Sequence, residues 1–301
     1  MILLKKRFNT KSFWRVQIAT HGLAQIDYGG SNTRIFFSKE DSVFHVMIKD
    51  FDNAFAAIGF NSFASGFHNT HESMWGHDRA LIAQALLRNQ AFKHEYINVC
   101  ADMLSSVLST SSMQRAWKKI YESLSPHLDM NHQRWSHLAW YEPDQQMFLD
   151  GVVPSVETFI NDQPSFISQV FEEYFDLGVN MVLVEMRDSC SFERPLAVYI
   201  NDLVLVKKDS VLIRHSFTEV PVPLRAVSDF FSCWVINTDT LYTADIVKVF
   251  SSDTSYTITA VFTCPTIDPN IGNIVINEIV SSNQHIVTNH PQGKFEDYIE
   301  L

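Results

Sequence analysis

No run in this chain reaches the ~18 consecutive apolar residues that a membrane-spanning helix needs. The opening Met1-Ile2-Leu3-Leu4-Lys5-Lys6-Arg7 is not a secretory leader, because its short apolar run precedes the basic residues instead of following them. Basic charge is also in deficit. There are 23 Lys and Arg against 34 Asp and Glu, a net charge of -11. That argues against nucleic-acid binding, which needs a basic footprint, and against an anionic membrane surface. The balance suits a secreted soluble protein or one that handles cations, and it serves solubility by itself equally well. Cysteine is sparse: Cys100, Cys190, Cys233 and Cys264 are far apart and form no CxxC pair, which argues against a zinc site built from them. Cys100 lies in a helical pattern and reads as a small buried hydrophobe. Cys190 with Cys233, or Cys233 with Cys264, are the pairings open to a secreted β region.

What the chain has in quantity is apolar and aromatic. Hydrophobic residues make up 46%, with 23 Phe and 6 Trp, which favours aromatic-rich cores. At 301 residues the length accommodates two or three domains.

Three regions follow one another. Near the start, Ile35-Phe36-Phe37 and Val43 through Ile48 are apolar runs of strand length, joined by the polar turn Ser38 to Ser42. They predict a hairpin that carries Asn32 just before its first strand and Asp50 just after its second. Residues 78 to about 178 predict helices: Leu81, Ala85, Leu86, Phe92, Tyr96, Val99, Met103 and Leu104 recur at spacings of three and four. Ile120 and Leu124 continue the pattern until Pro126, and a further helix is expected over Val156 to Phe175. Pro164 is expected near an internal break of that helix, and Gly178 as its stop. From Met181 onward strand-like runs alternate with polar turns, among them Val182-Leu183-Val184, Val220 to Leu224 and Tyr256 to Phe262. That is the pattern of a β-sandwich.

The candidate chemistry sits in Asp27-Tyr28-Gly29-Gly30-Ser31-Asn32 and in Asp50-Phe51-Asp52. Loop residues of these types also serve ordinary turns. The order, however, is Asp, then Asn, then a hairpin, then a carboxylate. A phosphoryl-transfer site needs that set: one Asp facing the acceptor hydroxyl, with an Asn and a second Asp holding Mg²⁺ on the phosphates. Asp52 is open to two readings, a metal ligand in place of Asp50 or a cap on the turn before Ala54 and Phe55.

These residues resemble the CotH-type, spore-coat-associated kinase-like family. The similarity runs through Gln25-Ile26-Asp27, Gly29-Gly30-Ser31-Asn32 and Ile35-Phe36-Phe37. Ile48 to Phe55 is similar to the family's Trp-Asp-x-Asp-x-x-Phe segment, with Lys49 in place of the Trp. Leu86 to Asn89 and Phe92 through Leu104 look like the helix pair after the site, and His132-Gln133-Arg134-Trp135 resembles the family's His-x-Arg-Trp signature. The resemblance implies an α+β chain: the helical C-terminal lobe of a protein-kinase-like fold, followed by an all-β sandwich module. It implies transfer of the ATP γ-phosphate to a protein Ser or Thr, with Mg²⁺ or Mn²⁺. Asp27 would be the catalytic Asp, Asn32 and Asp50 would meet the cofactor, and Asn32, Asp50 and Asp52 are the metal candidates.

The expected division is a partial kinase domain over 1–180, a β-sandwich module over 181–264, and 265–301 as linker and start of a lamin-tail-like, Ig-like domain. The β-module likeness rests on Phe217 to Val227 with Phe230 and Trp234. The tail likeness rests on Ile274 to Ile279 and Asp297 to Leu301. No glycine-rich phosphate loop, strand Lys or helix Glu of a nucleotide-clamping lobe can be placed before Asp27, so the chain reads as cut at both ends and inactive alone. The implied parent is a secreted or cell-surface, multidomain bacterial protein. The competing class is a non-catalytic binding or structural protein, with the β modules attaching it to a cell surface or polymer. His68, His71 and His77 with Glu72 have a spacing that can serve zinc but is common in loops without metal. His127, His132 and His137 recur at five-residue intervals, which one helix face cannot gather.

Overall fold

The structure is a computed structural model that describes residues 7–24, 33–49, 54–55, 77–137, 146, 148–189, 195–206, 211–251, 255–264, 278–280 and 298–300. The chain divides into two compact units, Met1–Phe262 and Thr263–Leu301.

In the first unit, α1 (Thr10–Gly22) precedes a hairpin of β1 (Thr33–Ser38) and β2 (Val43–Ile48). Helices α2 (His77–Leu87), α3 (Gln90–Leu104), α4 (Thr110–Leu124), α5 (Leu128–Trp135) and α6 (Val153–Phe175) follow. Three helix starts carry a side-chain cap. The Asn9, Asn89 and Ser109 side-chain oxygens accept from the Ser12, Ala91 and Ser112 amides, each cap contributing about 1 kcal/mol. Pro126 does end α4, as a short 3₁₀ turn over Ser125–His127.

α3 is the central helix. Tyr96, Ile97, Val99, Cys100 and Leu104 are all buried, and they meet Phe13, Trp14 and Ile18 of α1 and Ile160, Ile167 and Phe171 of α6. Trp14 lies 4.6 Å from Tyr96, and Tyr96 lies 5.1 Å from Phe171, ring centre to ring centre. One expectation fails in α6. Pro164 does not break it: the helix runs unbroken for 23 residues. Burial of Phe159 and Ile160 on one side and Ile167 and Phe171 on the other holds both halves in line, which offsets the amide hydrogen bond that proline cannot make. The helix ends at Phe175 as expected, although the left-handed residue that closes it is Asp176 at φ 54° and not Gly178. The apolar stripe is only partly a core stripe, since Leu81, Ile120 and Leu124 are exposed.

Two sheets complete the unit. β3 (Val179–Asp188), β6 (Val211–Phe217), β8 (Phe231–Ile236), β9 (Asp239–Leu241) and β11 (Tyr256–Phe262) form one sheet in the order β6-β3-β11-β8-β9. Only β3 and β11 pair in parallel there; the other pairs are antiparallel. β4 (Ala197–Ile200), β5 (Leu203–Leu205), β7 (Val222–Val227) and β10 (Asp245–Lys248) form the second, antiparallel sheet in the order β10-β7-β4-β5. Alternate residues face inward, as the two-residue strand period requires. Val182, Val184 and Met186 of β3 and Val222, Leu224 and Ala226 of β7 close on one core around the fully buried Trp234.

The sheets are not a separate body. Phe217 and Val220 belong to the helical core, and the Phe217 ring stacks 5.7 Å from Phe171 of α6. Cys100 is a buried free thiol as expected, its pKa pushed well up by burial and by nearby Asp102. Neither pairing that the sequence left open for Cys233 forms: Cys233 is a free thiol, and Cys264 is disulfide-bonded without it. In the second unit, β12 (Glu278–Val280) and β13 (Tyr298–Glu300) pair antiparallel.

Candidate active site

The hairpin pairs in register from Thr33 opposite Ile48 to Ser38 opposite Val43. Asp41 ties the turn by accepting from the Val43 amide at 3.3 Å and pairing with His45 Nε2 at 2.7 Å. The hairpin is anchored to the start of α1. The Asn9 amide donates to the Phe44 carbonyl, the Phe44 amide to the Arg7 carbonyl, and the Val46 amide to Ser12 Oγ at 3.0 Å. The Ser12 hydroxyl in turn donates a hydrogen bond to the Asn9 carbonyl at 2.9 Å.

The far end of α1 carries a second anchor. The Phe55 amide donates to the Leu23 carbonyl at 2.8 Å. The Phe55 ring meets Phe159 of α6 edge-on, with centres 4.8 Å apart. Phe55 holds φ at 61°, and Ala24 beside Leu23 holds 48°. Left-handed backbone is uncommon for residues with a side chain, especially an aromatic one, and persists where the surroundings fix it.

Asp27, Asn32, Asp50 and Asp52 lie outside the described residues. What the structure does place are the ends of the two short connections that carry them. The chain leaves Ala24 towards Asp27 and Asn32 and resumes at Thr33; it leaves Lys49 towards Asp50 and Asp52 and resumes at Ala54. Those ends are joined twice, by the Thr33–Ile48 pair and by the Leu23–Phe55 hydrogen bond. Phe55 closes the family-like segment that begins at Ile48, and its left-handed backbone and its bond to Leu23 give it a structural task.

A groove of about 480 Å³ opens beside the hairpin end, with Ile48, Val16, Ala19, Met103, Arg15 and Asp202 among its walls. Beneath it lies a buried polar cluster that the sequence reading did not find. Arg214 of β6, with no exposed surface, donates from Nε to Asp102 Oδ1 at 2.7 Å and from a terminal nitrogen to Asn98 Oδ1 at 3.0 Å. Burial raises the Asp102 pKa, opposed by the Arg214 charge and by hydrogen bonds from Asn201, Arg214 and the Asp202 amide. No local signal in the sequence marks this pair, whose members stand 112 residues apart.

Among the described residues no group of three or more His, Cys, Asp or Glu could hold a metal ion. His68, His71 and Glu72 lie outside them. His127 and His137 are exposed; in the His-x-Arg-Trp segment Arg134 stacks 4.9 Å from the ring of half-exposed Trp135, while His132 is half-buried.

The family model described as CotH kinase protein matches residues 3–167. The chain belongs to the CotH kinase family. The match spans α1, the hairpin, α2 to α5 and most of α6, and it stops before β3. No curated protein and no solved structure matches the chain. No helix among the described residues is long and apolar enough to cross a membrane.

Proposed function

We propose that this CotH-family chain binds ATP with Mg²⁺ or Mn²⁺ at the two connections that leave the hairpin and α1, for transfer of the γ-phosphate to a protein Ser or Thr. The observation that carries this reading is the double closure, Thr33 with Ile48 and Leu23 with Phe55. It brackets the segments holding Asp27 and Asn32 on one side and Asp50 and Asp52 on the other. The donor set fits the cofactor: Asn32, Asp50 and Asp52 offer only oxygen, which suits hard divalent cations. The bound nucleotide and metal would supply the phosphoryl group and neutralise its charge. Asp27 would accept the hydroxyl proton of the acceptor, while Asn32 with Asp50, or Asp52 in its place, would hold the metal.

A secreted or cell-surface location is supported by the disulfide at Cys264, since such bonds persist in oxidising compartments. The β12–β13 pair, with its acidic Glu278 and Glu300, is compatible with a lamin-tail-like module that would engage a cell surface or polymer.

Calorimetric titration with ATP and Mg²⁺ or Mn²⁺ tests the reading. Metal-dependent micromolar binding is expected, abolished by Asp50→Ala if Asp50 is the ligand and by Asp52→Ala if Asp52 is. A folded sample that binds no nucleotide would overturn it and leave a non-catalytic binding protein as the better account.

A further inference from the structure

The family match ends within α6, yet the β sheets beyond it hold the helix that leads into the candidate site. The contact is made by one turn. Asn201 and Asp202 connect β4 to β5, and Asn201 takes left-handed backbone at φ 51°. Its amide donates to the Pro223 carbonyl at 2.8 Å, and its side-chain amide to Asp102 Oδ2. The Asp202 amide donates to the same oxygen at 3.1 Å. Asp102 is in turn held by Arg214. The turn is therefore fixed from both sides, by its own sheet and by α3.

From that fixed point the Asp202 carboxylate reaches α1. It pairs with Lys11 Nζ at 2.5 Å and Arg15 Nη2 at 3.1 Å, residues one helical turn apart on the same face. Helix α1 is also the bar that carries the hairpin at one end, through Ser12 and Val46, and Phe55 at the other, through Leu23. Whatever sets the azimuth and slide of α1 sets both closures around the site. Lys11 and Arg15 keep 41% and 56% of their side-chain surface exposed. Ion pairs so open to solvent contribute little to stability. Two cations converging on one carboxylate do, however, define an orientation.

We infer that Asp202 is a positioning residue for the nucleotide site: the β module, through the Asn201–Asp202 turn, sets the placement of α1 and with it the two closures that bracket the site. The inference rests on the proposed nucleotide-binding reading, and it makes the β module part of the phosphotransfer apparatus rather than an appended binding unit.

Asp202→Asn in the full chain tests this, because it removes the charge that Lys11 and Arg15 share while keeping the backbone amide on Asp102. Two readouts are taken: the calorimetric affinity for Mg²⁺-ATP, and hydrogen exchange of the Phe55 amide, which reports the Leu23–Phe55 closure without any ligand. The expected result is a loss of affinity of at least about fivefold, within the usual range of site coupling. The thermal midpoint should move by no more than about 2 °C, as an exposed pair implies. Phe55 exchange should be faster, Asp202→Glu should recover much of both effects, and the exposed carboxylate change Asp239→Asn should produce neither. Unchanged Phe55 exchange in Asp202→Asn would overturn the inference. So would a large fall in the thermal midpoint accompanying the loss of affinity, which would mark Asp202 as merely structural. If the parent chain binds no nucleotide, the functional reading fails by itself, and the exchange measurement still decides whether Asp202 governs the closure.

Discussion

Replacing Asp102 with alanine would remove one carboxylate and strand three donors: Arg214 Nε, Asn201 Nδ2 and the Asp202 amide. The guanidinium is the decisive one. Arg214 has no exposed surface, and although it keeps the His215 carbonyl at 2.9 Å and Asn98 Oδ1 at 3.0 Å, neither partner carries charge. Leaving one member of a buried ion pair uncompensated costs about 3–5 kcal/mol. The two neutral donors sit nearer the surface, where water replaces much of what they lose, so they add little. At about 2–4 °C per kcal/mol for a unit of this size, the midpoint should fall by roughly 6–20 °C.

The raised pKa of Asp102 gives the argument a second edge. Burial outweighs the help of Arg214, Asn201 and the Asp202 amide, so holding the ionised carboxylate here returns less than its desolvation costs. A pair in that position is expensive to break and of small net worth when whole. Asp102→Leu combined with Arg214→Met should therefore lose less than about 2 kcal/mol, well below the single substitution. Scanning calorimetry or urea unfolding measures both. A single substitution costing under about 1 kcal/mol, or a double as costly as the single, would refute the reasoning.

Two further outcomes follow from the same core. Trp234 is fully buried between the sheets and donates from Nε1 to the Ala244 carbonyl at 3.2 Å; Trp234→Ala should cost about 3–5 kcal/mol in thermal or urea unfolding, and Trp234→Phe about 1–2. Burial and the Arg214 charge hold the His215 imidazole below its ordinary value, so the folded state binds that proton less readily than the unfolded chain. Its contribution to stability is complete above pH ~6.5 and is lost as pH falls through the depressed folded value; His215→Gln should flatten this part of a curve of unfolding midpoint against pH.

Local order was readable in the sequence wherever it rests on local rules. Two apolar runs joined by the polar turn Ser38 to Ser42 marked the hairpin, the run of polar turns after Met181 marked the strands, and Pro126 marked the end of α4. What escaped depends on partners distant in the chain. Pro164 reads as a break, and only the packing of Phe159, Ile160, Ile167 and Phe171 keeps the helix whole. Ile120 and Leu124 fit the helical period yet lie exposed, because period fixes a face and not what covers it. Lys11 and Asp202 are 191 residues apart, each an ordinary polar residue beside a helix start or in a turn. The site is divided in the same way: Asp27, Asn32, Asp50 and Asp52 are read from spacing and family likeness alone, whereas Leu23, and the task of Phe55 beyond its place in the motif, emerged only from backbone geometry.

The division of labour between helices and sheets follows from where the hydrophobic surface goes. A module appended by a linker would bury its own core and meet its neighbour through a polar, separable face. The sheets of this chain bury their own core around Trp234, but they also extend into the helical core through Phe217 and Val220. Phe217 leaves β6 to stack on Phe171, which stacks on Tyr96, which meets Trp14 of α1. Beside that aromatic line runs a polar one, Arg214 to Asp102 to the Asn201–Asp202 turn to Lys11 and Arg15. Both lines start in the sheets and end on α1. The apolar line fixes how deeply the helix is seated, since aromatic contact falls off steeply with separation. It does little to fix rotation, because rings tolerate many tilts. The charged line is directional and supplies what the first lacks. A helix that must present Ser12 to one strand and Leu23 to Phe55 needs both constraints, which explains why the polar line reaches α1 through exposed residues that contribute so little to stability.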